Sequence, residues 1–437
     1  MKPAALVRGF ACAALVFAAG AAGIAIRPAV ELSFPVAPDR VTLLEQSGDL
    51  ARWVARETLP PAPGANLVRY VPAAAGGPFF RVREQSFSNV TALLEPIRAQ
   101  RNVPALVAAA IRSNVVVAAG ATGLRKFGLA ETPAMLGDRF HLGSCTKSMT
   151  ATLAAILVQE GVVTWDTTVG AALPDLEPGM HASWKGVTLD LLLRNRGGAP
   201  GNLAAPLWNR LWTNHVSPQS QRRYLVQEVT KVAPETTPGS TYTYSNAGFA
   251  IAGHMLERAT GRPWEELITE RLFQPLGLDS AGFGPPASPR IVDQPWGHTW
   301  NARPVPVEPG TAADNPPAIG PAGTVHMTVL DFARYAAAHV RGVRDGLPFL
   351  ARAGWEKLHD NEQFPSDNYA MGWGVAQRPW GGGRVLTHNG SNNQWFAVMW
   401  IAPNKDFAVV AITNTAGAAG SGATDDAVWA LIQRFAN

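Results

Sequence analysis

The spacing of apolar residues predicts a buried helix directly after Ser144. Apolar side chains recur there at intervals of three and four residues, at Met149, Leu153, Ile156 and Leu157. This is the periodicity of one helix face, and Gly161 lies where a glycine commonly ends a helix. Ser144 therefore begins the helix, and Lys147, one turn later, lies on the same face.

A second pattern predicts one antiparallel sheet covered by helices. Apolar runs on either side of a short polar turn predict a β-hairpin at 105–120. Further strands are predicted near the C-terminus, at 382–390, 393–403 and 406–414. Amphipathic helices at 89–102 and 423–435 are expected to cover the sheet. The range from about 170 to 330 reads as a mainly helical insertion.

The N-terminal part of the chain differs from the rest. Lys2 and Arg8 precede an uncharged apolar run at 10–26, which predicts a signal peptide over residues 1–26. The alternative is an uncleaved membrane anchor, in a chain whose residues 27–86 would recruit another protein. Either way, we expect an exported protein, periplasmic or secreted, or held at the membrane by this segment alone.

Residues 27–87 predict an N-terminal extension or linker, because they contain the Pro- and Gly-rich stretches "LPPAPGANL" and "VPAAAGGPFF". Within this extension, residues 41–59 favour a helix. Closely spaced predicted helices and strands begin at residue 88, so we predict one main domain over 88–437.

Composition narrows the function classes. The chain has 437 residues, of which 47% are hydrophobic and 16% charged, with a net charge of +4. These values are typical of a globular protein, and no block of Lys and Arg predicts a nucleic-acid partner. The nine histidines are scattered, and neither H-E-x-x-H nor C-x-x-C occurs. We therefore expect no metal and no cofactor.

The Ser144–Lys147 pair has two interpretations. A serine hydroxyl is a weak nucleophile that needs a base, and a lysine kept from water can supply one. The free N–H groups of a helix N-terminus also favour the negative charge that develops during acyl transfer. Alternatively, Ser144 caps the helix and Lys147 is solvated, and the pair by itself favours this second interpretation.

Two further segments change that balance. "TYTYSNAGFAIAG" places Tyr244 and Asn246 at a helix start, and "LTHNGSNNQW" places His388 and Gly390 at a strand end. With the serine–lysine pair, these motifs resemble the serine β-lactamase and penicillin-binding-protein superfamily, in particular its class C β-lactamase-related branch. The resemblance covers 88–437. It implies an α/β (α+β) fold of β-lactamase/transpeptidase type, in which helices flank an antiparallel sheet and a mainly helical subdomain is inserted.

The resemblance also implies catalytic roles. Ser144 would be the acylated nucleophile, and Lys147 would hydrogen-bond it and help to remove its proton. Tyr244 would act as a base or proton shuttle, which requires neighbouring cations that favour the phenolate or a shared proton. A core tyrosine with a satisfied hydroxyl is the alternative for Tyr244.

Three other residues would bind or orient the substrate. Asn246 would orient the substrate and the lysine, although it could instead cap the following helix. His388 and Gly390 would line the opposite wall, and His388 could instead be a strand-end histidine with a backbone partner. The backbone N–H groups of Ser144 and Ser391 would form the oxyanion hole.

The third motif carries His388 where many β-lactamases and transpeptidases carry lysine. A histidine is mostly neutral near pH 7, so a fixed charge for a substrate carboxylate is missing. We therefore predict a serine hydrolase of peptidase or esterase type, acting on a small-molecule or peptide substrate that could derive from the cell wall. The alternatives are a class C-like β-lactamase or D-Ala-D-Ala carboxypeptidase, and a non-catalytic cell-wall-binding protein on the same fold.

Two other residue types invite a functional interpretation. Cys145 is adjacent to the candidate nucleophile, but small buried cysteines are more often packing residues. The chain also contains 14 tryptophans. Trp208, Trp212 and Trp373 could line a cleft, although core packing is the commoner role.

Overall fold

The computed structural model describes residues 29–35, 40–47, 54–59, 66–72, 79–213, 216–310 and 313–436. The chain divides into two compact units, Met1–Asn89 and Val90–Asn437. The signal or anchor predicted at 1–26 lies outside the described residues. Among those described, no helix combines the length and the apolar character needed to cross a membrane.

The first unit contains short strands. They are Ala29–Pro35 (β1), Arg40–Ser47 (β2), Val54–Leu59 (β3), Asn66–Pro72 (β4), Phe79–Ser86 (β5) and Ser88–Asn89 (β6). β1 pairs with β4, and β2 lies between β3 and β5, all antiparallel.

The helix predicted over 41–59 is wrong, because β2 and β3 form at 41–47 and 54–59 of that range. Thr42 and Leu44 are buried two residues apart on β2, as on one face of a strand, and the register shifts after Leu44, where Glu45 is buried as well. Pairing with β5 adds a cross-strand ion pair, in which Arg81 Nε lies 2.5 Å from Glu45 Oε2.

The second unit is built around an antiparallel sheet. Its strands are Ala105–Arg112 (β7), Val115–Gly123 (β8), Gly374–Arg378 (β14), Gly383–Ser391 (β15), Phe396–Ala402 (β16) and Phe407–Thr413 (β17). Within this unit their order is β14-β15-β16-β17-β7-β8. The predicted hairpin and C-terminal strands therefore share one sheet. Ser113 and Asn114 both have positive φ, as the tight turn between β7 and β8 requires.

Helices cover both faces of this sheet. Thr91–Arg101 (α1) and Gly417–Phe435 (α14) pack on one face, and Val329–Asp345 (α12) packs against β7, β16 and β17. Because successive strand residues point to opposite faces, the inner strands are buried on both sides. The core under α1 and α14 includes Leu94, Leu106, Val409 and Leu431.

Helices and short strands fill the chain between β8 and β14. The helices are Thr146–Gln159 (α2), Val169–Ala172 (α3), Ala182–Lys185 (α4), Leu189–Leu193 (α5), Ala205–Thr213 (α6), Pro218–Thr230 (α7), Asn246–Thr260 (α8), Trp264–Ile268 (α9), Gln274–Leu276 (α10), Gly320–Gly323 (α11) and Arg352–His359 (α13). The strands are Arg139–His141 (β9), Gly282–Phe283 (β10), Gly297–Asn301 (β11), Arg303–Val307 (β12) and Val325–Thr328 (β13). β13 pairs with β9 and β10, and β11 pairs with β12.

The helix predicted after Ser144 forms as α2 and is more deeply buried than its periodicity suggests. Every residue from Thr146 to Leu157 is buried, including Lys147. Threonine and serine hydroxyls on α2 are satisfied internally, as for Thr152 Oγ1, which donates to the Ser148 carbonyl at 2.9 Å. The helix can therefore lie in the interior without unpaired polar groups at these positions.

Candidate active site

Ser144 lies in a one-turn 3₁₀ helix, Gly143–Cys145, between β9 and α2. This turn contacts the end of β15 so closely that two glycines are required. A Cβ on Gly143 would lie 2.3 Å from the Ser391 backbone nitrogen, and a Cβ on Gly390 would lie 2.5 Å from that of Ser144. The predicted oxyanion-hole nitrogens thus belong to two backbone segments in direct contact.

Lys147 is fully buried beside Ser144. Its Nζ lies 3.1 Å from Ser144 Oγ, 2.7 Å from Asn246 Oδ1 and 2.9 Å from the Ala322 carbonyl oxygen. Burial lowers the pKa of Lys147 to about 7. Asn246 Oδ1 and the Ala322 carbonyl can only accept. The neutral amine therefore directs its two N–H groups at them and turns its lone pair toward the Ser144 hydroxyl.

Tyr244 lies next to this pair. Lys147 Nζ is 4.6 Å from the centre of its ring. The residue is 37% exposed, yet neighbouring atoms crowd its hydroxyl. This desolvation raises the pKa of Tyr244, although an interaction with Ser144 works in the opposite direction. The resting phenol is therefore protonated, and of the two catalytic roles that the resemblance implies, the raised pKa favours a proton shuttle over a phenolate base.

Asn246 is the first residue of α8, but it does not cap the helix. Ser245 is the N-cap, and its Oγ accepts from the Gly248 N–H at 3.0 Å. The Asn246 side chain is consequently available to Lys147. The capping alternative for Asn246 is wrong because the preceding serine already takes that position.

His388 is buried on β15, with its ring 6.4 Å from that of Tyr244. Its Nδ1 lies 2.6 Å from the Asn389 carbonyl oxygen, and its Nε2 lies 3.4 Å from the Tyr369 hydroxyl. A carbonyl only accepts, so Nδ1 carries the ring proton. Burial, and then the charge on Lys147, lower the pKa of His388 to about 3. The imidazole is therefore neutral and offers no fixed positive charge.

Cys145 and the tryptophans do not join this cluster. The buried Cys145 thiol donates to the His388 carbonyl at 3.6 Å, and burial raises its pKa, which makes it a poor nucleophile. Trp373 is fully buried and stacks on Tyr335 in the core. Trp212 packs edge-to-face on Trp208 at 5.9 Å and also lines a cavity.

This cavity, of about 480 Å³, lies beside the site. One lining residue, Asn315, contacts the segment that carries the Lys147 partner Ala322, because its Nδ2 donates to the Gly323 carbonyl at 2.7 Å. The described lining of the cavity is largely apolar, contains two carboxylates and has no lysine or arginine. The lining comprises Leu211, Trp212, Val216, Pro218, Gln221, Glu265, Phe283, Gly284, Pro285, Gly310, Asp314, Asn315, Pro317 and Thr324.

Several residues of the site were not predicted from the sequence. The Ala322 carbonyl, the Tyr369 hydroxyl and the Ser245 cap all contact predicted residues. Only Ser245 had a usable signal, as a serine directly before a helix. The other two come from distant parts of the chain and lie outside the three motifs that carry Ser144, Tyr244 and His388.

Comparison with known protein families identifies the family of this chain. The family model described as Beta-lactamase matches residues 90–434. The chain therefore belongs to the beta-lactamase family, which supports hydrolase activity and the predicted β-lactamase/transpeptidase-like fold.

Individual relatives are distant. The chain is 27% identical over 320 residues to "Unguisins hydrolase ungD'" of Aspergillus campestris, covering 67% of this chain but only 56% of that protein. It is 28% identical over 296 residues to "Penicillin-binding protein 4" of Amycolatopsis lactamdurans, covering 65% of this chain and 74% of that protein. The octameric penicillin-binding protein homologue from Pyrococcus abyssi has the same fold, with a TM-score of 0.64 at 23% identity over 78% of this chain and 76% of that one.

Proposed function

We propose that this chain is an exported serine hydrolase that cleaves an ester or amide bond through an acyl-enzyme on Ser144. The observation that carries this proposal is the buried Lys147 amine, 3.1 Å from Ser144 Oγ and with its pKa lowered to about 7. A general base works best when its pKa is close to the operating pH. The arrangement meets both the distance and the pKa requirement.

Acylation begins with neutral Lys147. Its lone pair accepts the hydroxyl proton of Ser144 as Oγ bonds to the substrate carbonyl carbon. The carbonyl oxygen becomes an oxyanion, which the N–H groups of Ser144 and Ser391 stabilise. The bond to the leaving group then breaks. The leaving group takes a proton from the Tyr244 hydroxyl, and the Lys147 ammonium returns a proton to Tyr244.

Deacylation reverses these transfers with water in place of the leaving group. Water gives a proton through Tyr244 to neutral Lys147 while its oxygen attacks the acyl carbon. The Ser144 Oγ leaves and recovers its proton from Lys147. Each group returns to its starting protonation state, so neither a metal nor a cofactor is needed in this sequence of steps.

The polarity of the site supports a substrate without a free carboxylate near His388. The neutral imidazole supplies no counter-charge for such a group, and the described lining of the cavity adds no lysine or arginine. A small ester, amide or peptide with an apolar side group suits these walls. We therefore rank esterase or peptidase activity above efficient β-lactam or D-Ala-D-Ala hydrolysis.

Covalent labelling tests the reaction type. A fluorophosphonate probe is expected to label the wild type and Ser421→Ala, a serine control on α14, but not Ser144→Ala. Full labelling of Ser144→Ala would overturn the proposal. Labelling of the wild type without turnover of any substrate would favour the non-catalytic binding protein.

A parallel substrate panel tests the ranking. It comprises 4-nitrophenyl butyrate, a D-alanyl anilide, a D-Ala-D-Ala peptide and a chromogenic cephalosporin, each with Ser144→Ala as background. We expect turnover of the ester or anilide to exceed that of the other two. A preference for the cephalosporin would replace esterase or peptidase by β-lactamase.

Export is a separate part of the proposal and rests on the sequence of residues 1–26 alone. Fractionation of cells that express the full chain, with N-terminal sequencing of the product, distinguishes a cleaved signal from an anchor. Deletion of residues 1–26 is expected to leave the protein in the cytoplasm. Export of that deletion variant would contradict this part.

A further inference from the structure

One carboxylate outside the serine–lysine–tyrosine cluster contacts a side chain next to each of the two backbone segments of the proposed oxyanion hole. Asp314 is buried, and its Oδ1 lies 2.7 Å from His141 Nε2. The same oxygen accepts from Asn392 Nδ2 at 3.2 Å and from the Asn315 N–H at 2.6 Å. Neither His141, Asp314 nor Asn392 was predicted from the sequence as a site residue.

His141 connects this carboxylate to the turn that carries the nucleophile. The ring is fully buried at the end of β9, and its Nδ1 accepts from the Gly143 N–H at 3.0 Å. Because Nδ1 accepts, the ring proton is on Nε2, which lies 2.7 Å from Asp314 Oδ1 although its N–H is not aligned with that oxygen. Gly143 has a φ of +49°, so this hydrogen bond orients a non-helical peptide directly before Ser144.

Asn392 connects the same carboxylate to the other half of the hole. It directly follows Ser391 and is buried. Its Nδ2 donates to Asp314, and its Oδ1 accepts from the Gln394 N–H at 3.3 Å. The amide is therefore held at both ends, and it restrains the backbone that presents the Ser391 N–H.

A third contact reaches the lysine. Asn315, next to Asp314, donates to the Gly323 carbonyl at 2.7 Å. The preceding residue, Ala322, accepts from Lys147 Nζ. The loop around Asp314 thus touches the turn before Ser144, the end of β15 and the helix that helps to orient Lys147.

We propose that Asp314, acting through His141 and Asn392, is a positioning residue that keeps the N–H groups of Ser144 and Ser391 directed at one point. This inference rests on the proposed serine hydrolase function. Two donors can stabilise one oxyanion only if each lies about 2.7–3.1 Å from it. Two segments joined by a single buried carboxylate hold that relation more firmly than two segments that pack independently.

The test uses Asp314→Ala, Asp314→Asn and His141→Gln in the full chain. Asp314→Ala is expected to lower kcat for 4-nitrophenyl butyrate by roughly 10²-fold, comparable to loss of one oxyanion-hole donor, with little change in KM. Phenylboronic acid, which forms a tetrahedral adduct on an active-site serine, is expected to bind more weakly in the same proportion. Asp314→Asn keeps an acceptor oxygen for the three neighbouring nitrogens, those of His141, Asn392 and Asn315, and should recover part of kcat.

His254→Gln is the matched control. His254 is also buried, and its Nδ1 lies 2.9 Å from the Glu257 carboxylate on α8, so it pairs away from Ser144. This variant should lower Tm without changing kcat or the boronate affinity of the folded enzyme. A positioning role and a purely structural role therefore give different results.

Two outcomes overturn the inference. If Asp314→Ala lowers Tm as His254→Gln does but leaves kcat and boronate affinity at wild-type values, Asp314 has only a structural role. If the wild type shows neither turnover nor labelling at Ser144, the proposed function fails, and this inference fails with it. Measurement of the wild type first separates the two failures.

Discussion

Lys147 and Arg222 are both fully buried cationic side chains in the same unit, but their surroundings differ. Arg222, on α7, contacts the carboxylates of Glu257 on α8 and Glu265 on α9. Lys147 hydrogen-bonds to the neutral oxygens of Ser144, Asn246 and Ala322 and lies over the Tyr244 ring. Among the described residues, Arg222 is therefore compensated by carboxylates, whereas the partners of Lys147 are uncharged.

The Arg222 cluster joins three helices. Although burial alone would raise the pKa of Glu257, its hydrogen bond to His254 and the charge of Arg222 hold the pKa below its usual value. Glu257 also accepts from the Trp264 N–H at 3.0 Å. The carboxylate stays ionised, and the network stabilises the packing of α7, α8 and α9.

The comparison separates a structural cation from a reactive one. A buried charge without a counter-ion is costly, and an amine can avoid that cost by releasing its proton. Burial lowers the pKa of Lys147, which therefore becomes a base near neutral pH. A guanidinium does not deprotonate in proteins, and the two carboxylates beside Arg222 compensate its charge.

The largest expected effect follows from removing the base. Lys147→Arg keeps a cation but cannot accept a proton, so we expect kcat/KM for the preferred substrate to fall roughly 10³-fold. Lys147→Met should lose activity equally and leave the free energy of unfolding unchanged or higher, because it removes an uncompensated buried amine. Activity assays and denaturant unfolding of both variants check this. An active Lys147→Arg would contradict the assignment of Lys147 as the base.

Arg222→Met should show the opposite behaviour. It leaves Glu257 and Glu265 without their shared cation, and we expect the free energy of unfolding to fall by about 3–5 kcal/mol. Because Arg222 lies outside the site, kcat per folded molecule should change by less than about twofold. Urea unfolding together with active-site titration separates the two quantities. A large loss of kcat in fully folded protein would contradict a purely structural role for Arg222.

The pH dependence of activity follows from the pKa of Lys147, about 7. Below that pH the ammonium cannot accept the serine proton. We therefore expect kcat/KM to fall about tenfold per pH unit below 7 and to level off above it. A pH–rate profile of the wild type measures this, with Arg222→Met as a control that keeps the same midpoint. A profile that stays flat from pH 5 to 8 would contradict it.

The free energy of unfolding should also depend on pH through Lys147, and the direction of the change can be derived. The pKa of Lys147 is about 7 in the folded protein and ordinarily 10.5. Between these values the unfolded chain binds more protons, so the contribution of Lys147 to the free energy of unfolding rises with pH. The destabilisation that the buried Lys147 amine causes is complete below pH 7 and disappears as the pH approaches 10.5. Lys147→Met should remove this contribution to the slope of the free energy of unfolding against pH. An unchanged slope would contradict the lowered pKa of Lys147.

The smallest effect concerns charge on the opposite wall. His388→Lys places a cation where the wild type has a neutral imidazole. We expect the kcat/KM ratio of a D-Ala-D-Ala peptide to 4-nitrophenyl butyrate to rise about tenfold, the equivalent of one charge-assisted hydrogen bond. His388→Gln, which is neutral, should leave the ratio near its wild-type value. An equal ratio in all three proteins would show that charge at residue 388 does not select the substrate.

Periodicity and motif spacing predicted much of the second unit. The helix after Ser144, the hairpin of β7 and β8 and the C-terminal strands are local patterns of period 3.6 or 2, and these survive folding. The helix expected over 41–59 failed because the segment contains two paired strands, β2 and β3, and β2 also pairs with β5 outside it. Strand preference depends on such partners, so the apolar pattern of the segment alone did not indicate it.

The site shows the same division. The sequence by itself determined which residue types stand at the motif positions: the Ser144–Lys147 spacing, the order of the three motifs and the histidine at 388. Only the tertiary structure decided the protonation states that make these residues useful. The pKa of Lys147 depends on burial and on oxygens from Asn246 and Ala322, and the alignment of Ser144 with Ser391 depends on contacts such as those of Asp314. Both depend on desolvation and on contacts between segments that are distant in the sequence. They arise only when the chain has folded.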